Sequence, residues 1–157
     1  ETCETMNGMW GYKITDQNYK TTERLIHYLV KAAGMNANLL MNIGPQPDGS
    51  LPKLSLERLK EMGDWMKVYG ETIYGTRGGQ IPPRDWGVTT QKGNTLFVHI
   101  LNLKDKGLFL PITDRKIKQA TLFKNGEKGR FQQDKEGVLL RLAEVPTDID
   151  YVVRLDF

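Results

Sequence analysis

The chain changes its hydrophobic rhythm once. Up to about residue 75 the apolar positions recur at helical spacing, and beyond Pro83 they alternate with polar ones. Between 21 and 33, Leu25, Ile26, Leu29, Val30 and Ala33 lie on one stripe and Gly34 follows as a stop signal. That pattern predicts a helix of about three turns. Residues 38–43 form a short apolar run closed by Gly44-Pro45, as expected of a strand buried on both faces. A second helix is predicted over about 55–70. Ser55 would be its N-cap, Leu56, Leu59, Met62, Met66 and Tyr69 its stripe, and Trp65 would sit beside them in the core. Gly63 in its middle costs ~1 kcal/mol against Ala and points to close packing on a neighbour.

Past Pro83 the period is two. Strands are predicted over about 86–90, 95–101, 107–112, 117–124, 129–133, 137–143 and 149–157. In the last, Ile149, Tyr151, Val153 and Leu155 alternate with Asp150, Arg154 and Asp156. Leu96, Val98 and Ile100 face one way and Phe97, His99 and Leu101 the other, which predicts a central strand. Asn125-Gly126 reads as a type I′ hairpin, and residues 134–137 as a longer hairpin loop. Strands of this number and spacing make an antiparallel sandwich. The fold class is therefore α/β followed by all-β, divided at 77/78 beside the Gly78-Gly79 and Pro82-Pro83 pairs.

Composition narrows the function only by exclusion. Charged residues at 26% and hydrophobic ones at 39% are the proportions of a folded globular chain, and no apolar run approaches the ~20 residues of a membrane span. The net charge of +3 comes from lysines scattered among acids, with 9 basic and 9 acidic residues before 80 and 13 and 10 after it. No basic stripe for nucleic acid results. Cys3, alone, excludes an internal disulfide and reads as a buried structural thiol. His27 and His99 are too far apart to suggest a metal site; His27 reads as a surface or partly buried side chain and His99 as a satisfied structural one. Trp86 is expected to pack at the domain junction.

The opening residues carry the chemistry. Glu1-Thr2-Cys3-Glu4 leads into Trp10-Gly11-Tyr12, without an initiating Met or a targeting segment. The chain is therefore expected to be the C-terminal part of a longer enzyme, starting inside an active site. Taken with Asn38-Leu39-Leu40-Met41-Asn42-Ile43-Gly44-Pro45, Asp48-Gly49, Glu57-Arg58-Leu59, Gly63-Asp64-Trp65 and Gly70-Glu71-Thr72-Ile73-Tyr74, these motifs resemble the retaining α-L-fucosidases of glycoside hydrolase family 29.

The resemblance implies the end of a (β/α)8-like catalytic barrel over 1–77 and a β-sandwich over 78–157. It implies exo-hydrolysis of terminal α-L-fucose by double displacement, with two carboxyl groups about 5–5.5 Å apart. Glu1 matches the family's acid/base Glu, with Glu4 as the competing position and a solvated loop acid as the plain alternative for either. The Asp nucleophile would lie upstream, outside this chain. Residues 1–12 would form an active-site loop, Trp10 would meet the sugar or simply pack on the barrel, and Asn42 would bind substrate or hold the loop. No metal and no cofactor is implied. The implied partners are a fucosylated glycan and the remainder of the barrel, with no nucleic acid and no membrane. The implied location is secreted, periplasmic or lysosomal. Two rival readings stay open: a non-catalytic carbohydrate-binding or structural sandwich, and another retaining barrel glycosidase such as a galactosidase.

Overall fold

A computed structural model describes residues 1–157. Its first part alternates strand and helix: β1 (Thr2–Thr5), α1 (Thr22–Gly34), β2 (Leu39–Asn42) and α2 (Lys53–Tyr69), the last running into a 3-10 turn at Gly70–Thr72. β1 and β2 pair in parallel, Thr2 opposite Leu39 through Thr5 opposite Asn42. Residues 1–12 are thus not one loop, because Thr2–Thr5 is extended and hydrogen-bonded to β2.

α1 starts where its chemistry says it should. The Thr21 hydroxyl caps it by accepting from the Arg24 N–H at 3.2 Å, and Glu23 in the first turn and Lys31 in the last complement the helix dipole. Its end differs from the sequence expectation. Asn36, at φ 59°, makes the left-handed turn that terminates it. Gly34 serves packing instead: a Cβ there would lie 2.5 Å from Val88 Cβ, and a Cβ on Gly78 would lie 2.7 Å from the Gly34 carbonyl oxygen. The helix end therefore meets the neighbouring sheet closely, against the Val88 side chain and the Gly78 backbone.

α2 begins two residues earlier than expected. Pro52 stands at its N-cap without a side-chain bond, and Ser55 is a buried position inside the helix. Leu56 and Leu59 are exposed; the buried face is Ser55, Trp65 and Tyr69, with Met62 and Met66 partly buried beside them. Gly63 touches no neighbour, so close packing does not explain it. Within this chain β2 is flanked only by β1, and its Leu40 is 53% exposed.

The remainder is antiparallel. One sheet orders β3 (Arg77–Gly78), β4 (Gly87–Lys92), β5 (Thr95–Ile100), β10 (Tyr151–Asp156) and β7 (Gln119–Leu122). The other orders β6 (Gly107–Leu110), β9 (Val138–Arg141) and β8 (Arg130–Gln133). The strand of Val98 is central, as its two-sided apolar pattern predicted. Between the sheets lies a core that includes Leu96, Val98, Ile100, Leu110, Leu140, Val153 and Leu155. Trp86 packs against this core and not at the helix junction. The opposite face of the five-stranded sheet presents Val88, Phe97 and Val152 to Ile26, Val30, Trp65 and Tyr69 of the helices.

Two local expectations are corrected. Asn125 has no positive φ and only Gly126 does, at 73°, so the turn is not type I′. It is a wider one, closed by Gly126 N–H to the Leu122 carbonyl at 2.8 Å. Asp150, read as an outward polar residue, is buried. Its Oδ2 lies 2.7 Å from His99 Nδ1, while His99 Nε2 lies 3.0 Å from Thr90 Oγ1, whose hydroxyl donates to the Thr72 carbonyl at 2.6 Å. This buried chain fastens the turn after α2 to strands β4 and β5.

Candidate functional site

Parallel pairing puts the C-terminal ends of β1 and β2 together, so the segments that follow Thr5 and Asn42 share one end of the pair. In β/α-barrel proteins that end carries the chemistry. The first segment folds back at once. Met6 is fully buried and its N–H donates to the Asn42 carbonyl at 3.2 Å. Asp16 ties the two sides of the loop, accepting from the Gly8 N–H at 2.9 Å and the Asn18 N–H at 3.1 Å. In the second segment the Asp48 carboxylate accepts from the Ser50 hydroxyl and N–H. Those bonds, the hydroxyl first, hold its pKa below the usual aspartate range.

The two segments interlock. Asn42 Nδ2 donates to the Trp10 carbonyl at 2.7 Å and to Thr5 Oγ1 at 3.1 Å. Gly44 lies under the same turn, where a Cβ would come within 2.5 Å of Tyr12 N and 2.6 Å of Gly11 C. The result is an outward Trp10 side chain, 59% exposed, on a turn whose backbone is held from beneath. An aromatic face so presented matches the apolar C–H face of a sugar.

Beneath that turn sits Lys20. Its Nζ donates to the Thr5 carbonyl at 2.6 Å and the Asn7 carbonyl at 3.1 Å, and lies 3.2 Å from Glu4 Oε1. Glu4 also accepts from the Thr5 N–H at 2.9 Å. That backbone bond first, with help from Lys20 and Tyr28 and against partial desolvation, holds the Glu4 carboxyl below the ordinary glutamate range.

The sequence-predicted residues therefore divide. Trp10 and Asn42 are brought into direct contact. Glu1 is exposed and precedes β1, so it lies at the other end of the pair, about 13 Å from Thr5 at ~3.3 Å per strand residue. Cys3 is exposed, not buried. His27 is half-buried on α1, with Nε2 2.6 Å from the Ile149 carbonyl. There is no group of three or more His, Cys, Asp or Glu side chains that could hold a metal ion, and no helix is long and apolar enough to cross a membrane. Sequence reasoning missed Lys20 and Asp16, whose bonds go to loop backbone and leave no periodic signal.

A parallel β/α piece with an exposed aromatic and interlocked polar loops at its C-terminal strand ends, followed by an antiparallel sandwich, has the build of a barrel enzyme with a β-sandwich attached. Comparison with known proteins makes this specific. Residues 1–71 match the family model for α-L-fucosidase. An α-L-fucosidase of Dictyostelium discoideum is 28% identical over 99% of this chain and 37% of its own length. The plasma α-L-fucosidase of Pongo abelii is 38% identical over 70% of the chain and 26% of its own length. Among solved structures, α-L-fucosidase isoenzyme 1 from Paenibacillus thiaminolyticus is 33% identical and superposes with a TM-score of 0.88 over 98% of this chain and 38% of its own. The chain belongs to the α-L-fucosidase family, and it spans about a third of the length of the relatives it matches.

Proposed function

We propose that the protein carrying this chain is an exo-acting, retaining α-L-fucosidase that removes terminal α-L-fucose from oligosaccharides or glycoconjugates. The observation that carries this reading is the family match over 1–71, the stretch that holds the interlocked Trp10–Asn42 loops. In this reading residues 1–77 complete a catalytic barrel and 78–157 form the sandwich. Trp10 meets the sugar, and Asn42 either contacts it or holds the loop that does. The likeness to plasma and tissue α-L-fucosidases supports a secreted or lysosomal setting.

The acid/base role is given to Glu1 on its motif resemblance alone, since its place before β1 is the strand end opposite the interlocked loops. A general acid must arrive protonated, and Glu4 is a poor choice because Thr5 and Lys20 favour its carboxylate. The sandwich is given a structural role. Its five-stranded sheet uses its outer face to cover α1 and α2, which supports a bracing function over independent glycan binding.

The test uses the full-length protein on 4-nitrophenyl α-L-fucoside and on an alkyl α-L-fucoside. If Glu1 is the acid/base, Glu1→Gln slows the first step only for the alkyl leaving group, and azide restores turnover as β-fucosyl azide. An unimpaired Glu1→Gln leaves the fucosidase reading standing and moves the acid elsewhere, with Glu4→Gln the next variant to assay. A wild type that ignores fucosides and cleaves another glycoside sinks the fucosidase reading itself.

A further inference from the structure

We infer that Lys20 is a positioning residue for the sugar-facing turn, a role that rests on the fucosidase reading. The lysine is at the right place in the chain. It immediately precedes Thr21, the cap of α1, so its backbone is fixed to the helix start. From α2, Arg58 Nε donates to the Lys20 carbonyl at 3.0 Å, and the Lys20 N–H donates to the Met6 carbonyl at 2.8 Å. Both helices therefore hold the main chain of this one residue.

Its side chain is only 14% exposed, and its ammonium contacts two loop carbonyls and the Glu4 carboxylate. An ammonium has three protons to donate and no acceptor capacity. With those partners the set is filled, so no proton is left over for a substrate. Lys20 is accordingly not a catalytic group. What it does is gather the carbonyls of Thr5 and Asn7, which would otherwise turn to solvent, around a single charge. Thr5 then offers its hydroxyl oxygen to Asn42, and Asn42 uses its second N–H on the carbonyl of Trp10. The path from Lys20 to Trp10 is thus Lys20, Thr5, Asn42 and Trp10, with a hydrogen bond at each link. Remove the charge, and the carbonyls of Thr5 and Asn7 and the Glu4 carboxylate lose their shared partner, which leaves the turn to Asn42, Asp16 and its close approach to Gly44.

The experiment is a double-mutant cycle in the full-length protein with Lys20→Met and Trp10→Ala, read as kcat/KM on 4-nitrophenyl α-L-fucoside. A displacement of the turn of ~1 Å predicts a loss of about 10²-fold for Lys20→Met. The double variant should be little worse than the poorer single one, because both changes disable the same contact. Lys20→Arg, which keeps the charge and the donors, should recover most of the activity. Losses that multiply, or a Lys20→Met enzyme with wild-type kcat/KM, overturn the inference. If Lys20→Met does not fold, Lys20→Gln takes its place in the cycle, where coupled losses support the role and multiplied losses overturn it.

Amide hydrogen exchange separates this from the parent reading. Exchange of the Thr5, Met6 and Gly8 amides should speed up in the Lys20 variant even if fucosides prove not to be the substrate. Unchanged exchange there sinks the positioning role, and failure of wild type on fucosides sinks only the fucosidase reading.

Discussion

At the scale of single residues, the site depends on groups that hold backbone in place. Asn42 is the clearest. Asn42→Ala removes both bonds to the turn and leaves the Trp10 carbonyl without that donor, which should cost about 1–3 kcal/mol. Urea unfolding of the full-length protein measures it, and a loss near zero would show that the turn does not depend on this amide. His99 and Asp150 make a second case. Both side chains are fully buried and each is the other's partner. Truncating either one should cost about 1–3 kcal/mol, since the survivor loses a buried hydrogen-bond partner. Equal stability of Asp150→Ala and wild type would show that the pair contributes nothing. Trp10 and Asn42 were singled out through the motifs they belong to, and the structure brings them into contact. Lys20 and Asp150 were not singled out. One lies in a polar stretch between elements, and the other alternates with apolar neighbours just as a solvent-facing residue would.

At the scale of elements, α2 shows how charge supports a helix whose apolar face is narrow. Asp64 lies 2.6 Å from Lys60 Nζ and 2.8 Å from Lys67 Nζ, one turn to either side. Those two ammonium groups, Lys60 first, pull its carboxyl down to about 2. The folded pKa is the lower one, so this support is present above the unfolded value near 3.8 and is lost as pH falls toward 2. The gap in urea midpoint between wild type and Asp64→Asn should therefore close across that window. A gap that persists unchanged to the acid end would mean the pairs do not act in the folded helix. The presence of both helices and of the seven strands past Pro83 was readable because each has a sustained period, whereas the cap at Pro52 and the turn at Asn36 carry no such signal. The facing of α2 was not, because its Leu56 and Leu59 fit a helical stripe as well as Trp65 and Tyr69 do. Only the partner surface chooses between them. The wide turn at Asn125-Gly126 was misread for a related reason. There the chain leaves the five-stranded sheet and enters the three-stranded one, so a tight hairpin within one sheet was never required.

At the scale of the whole molecule, the sandwich uses both faces of its larger sheet. Cut at residue 78 and expressed alone, it would uncover Val88, Phe97, Val152 and the Phe123 ring, a contiguous apolar patch. Such a patch drives association. The isolated segment should run as oligomers in light-scattering chromatography and bind a hydrophobic dye, and a clean monomer would mean the helices contribute little to covering it. This dependence was hidden in the sequence, where the change of rhythm near residue 78 reads as a seam between independent parts. The close approach of Gly34 to Val88, and of Gly78 to the Gly34 carbonyl, turns that seam into a joint. Further along the helix, Ile26 and Val30 pack on Val88, Phe97 and Val152 of the same sheet, so α1 is seated on the sandwich at more than one point. Its 13 residues make a rod about 20 Å long that lies on the sandwich and carries Lys20 just beyond the end away from the joint. Helix and sheet would then move as one piece, and a rigid tilt of about 3° over that length carries the Lys20 end by ~1 Å, so a load on the sandwich would register as a change of aim under Trp10.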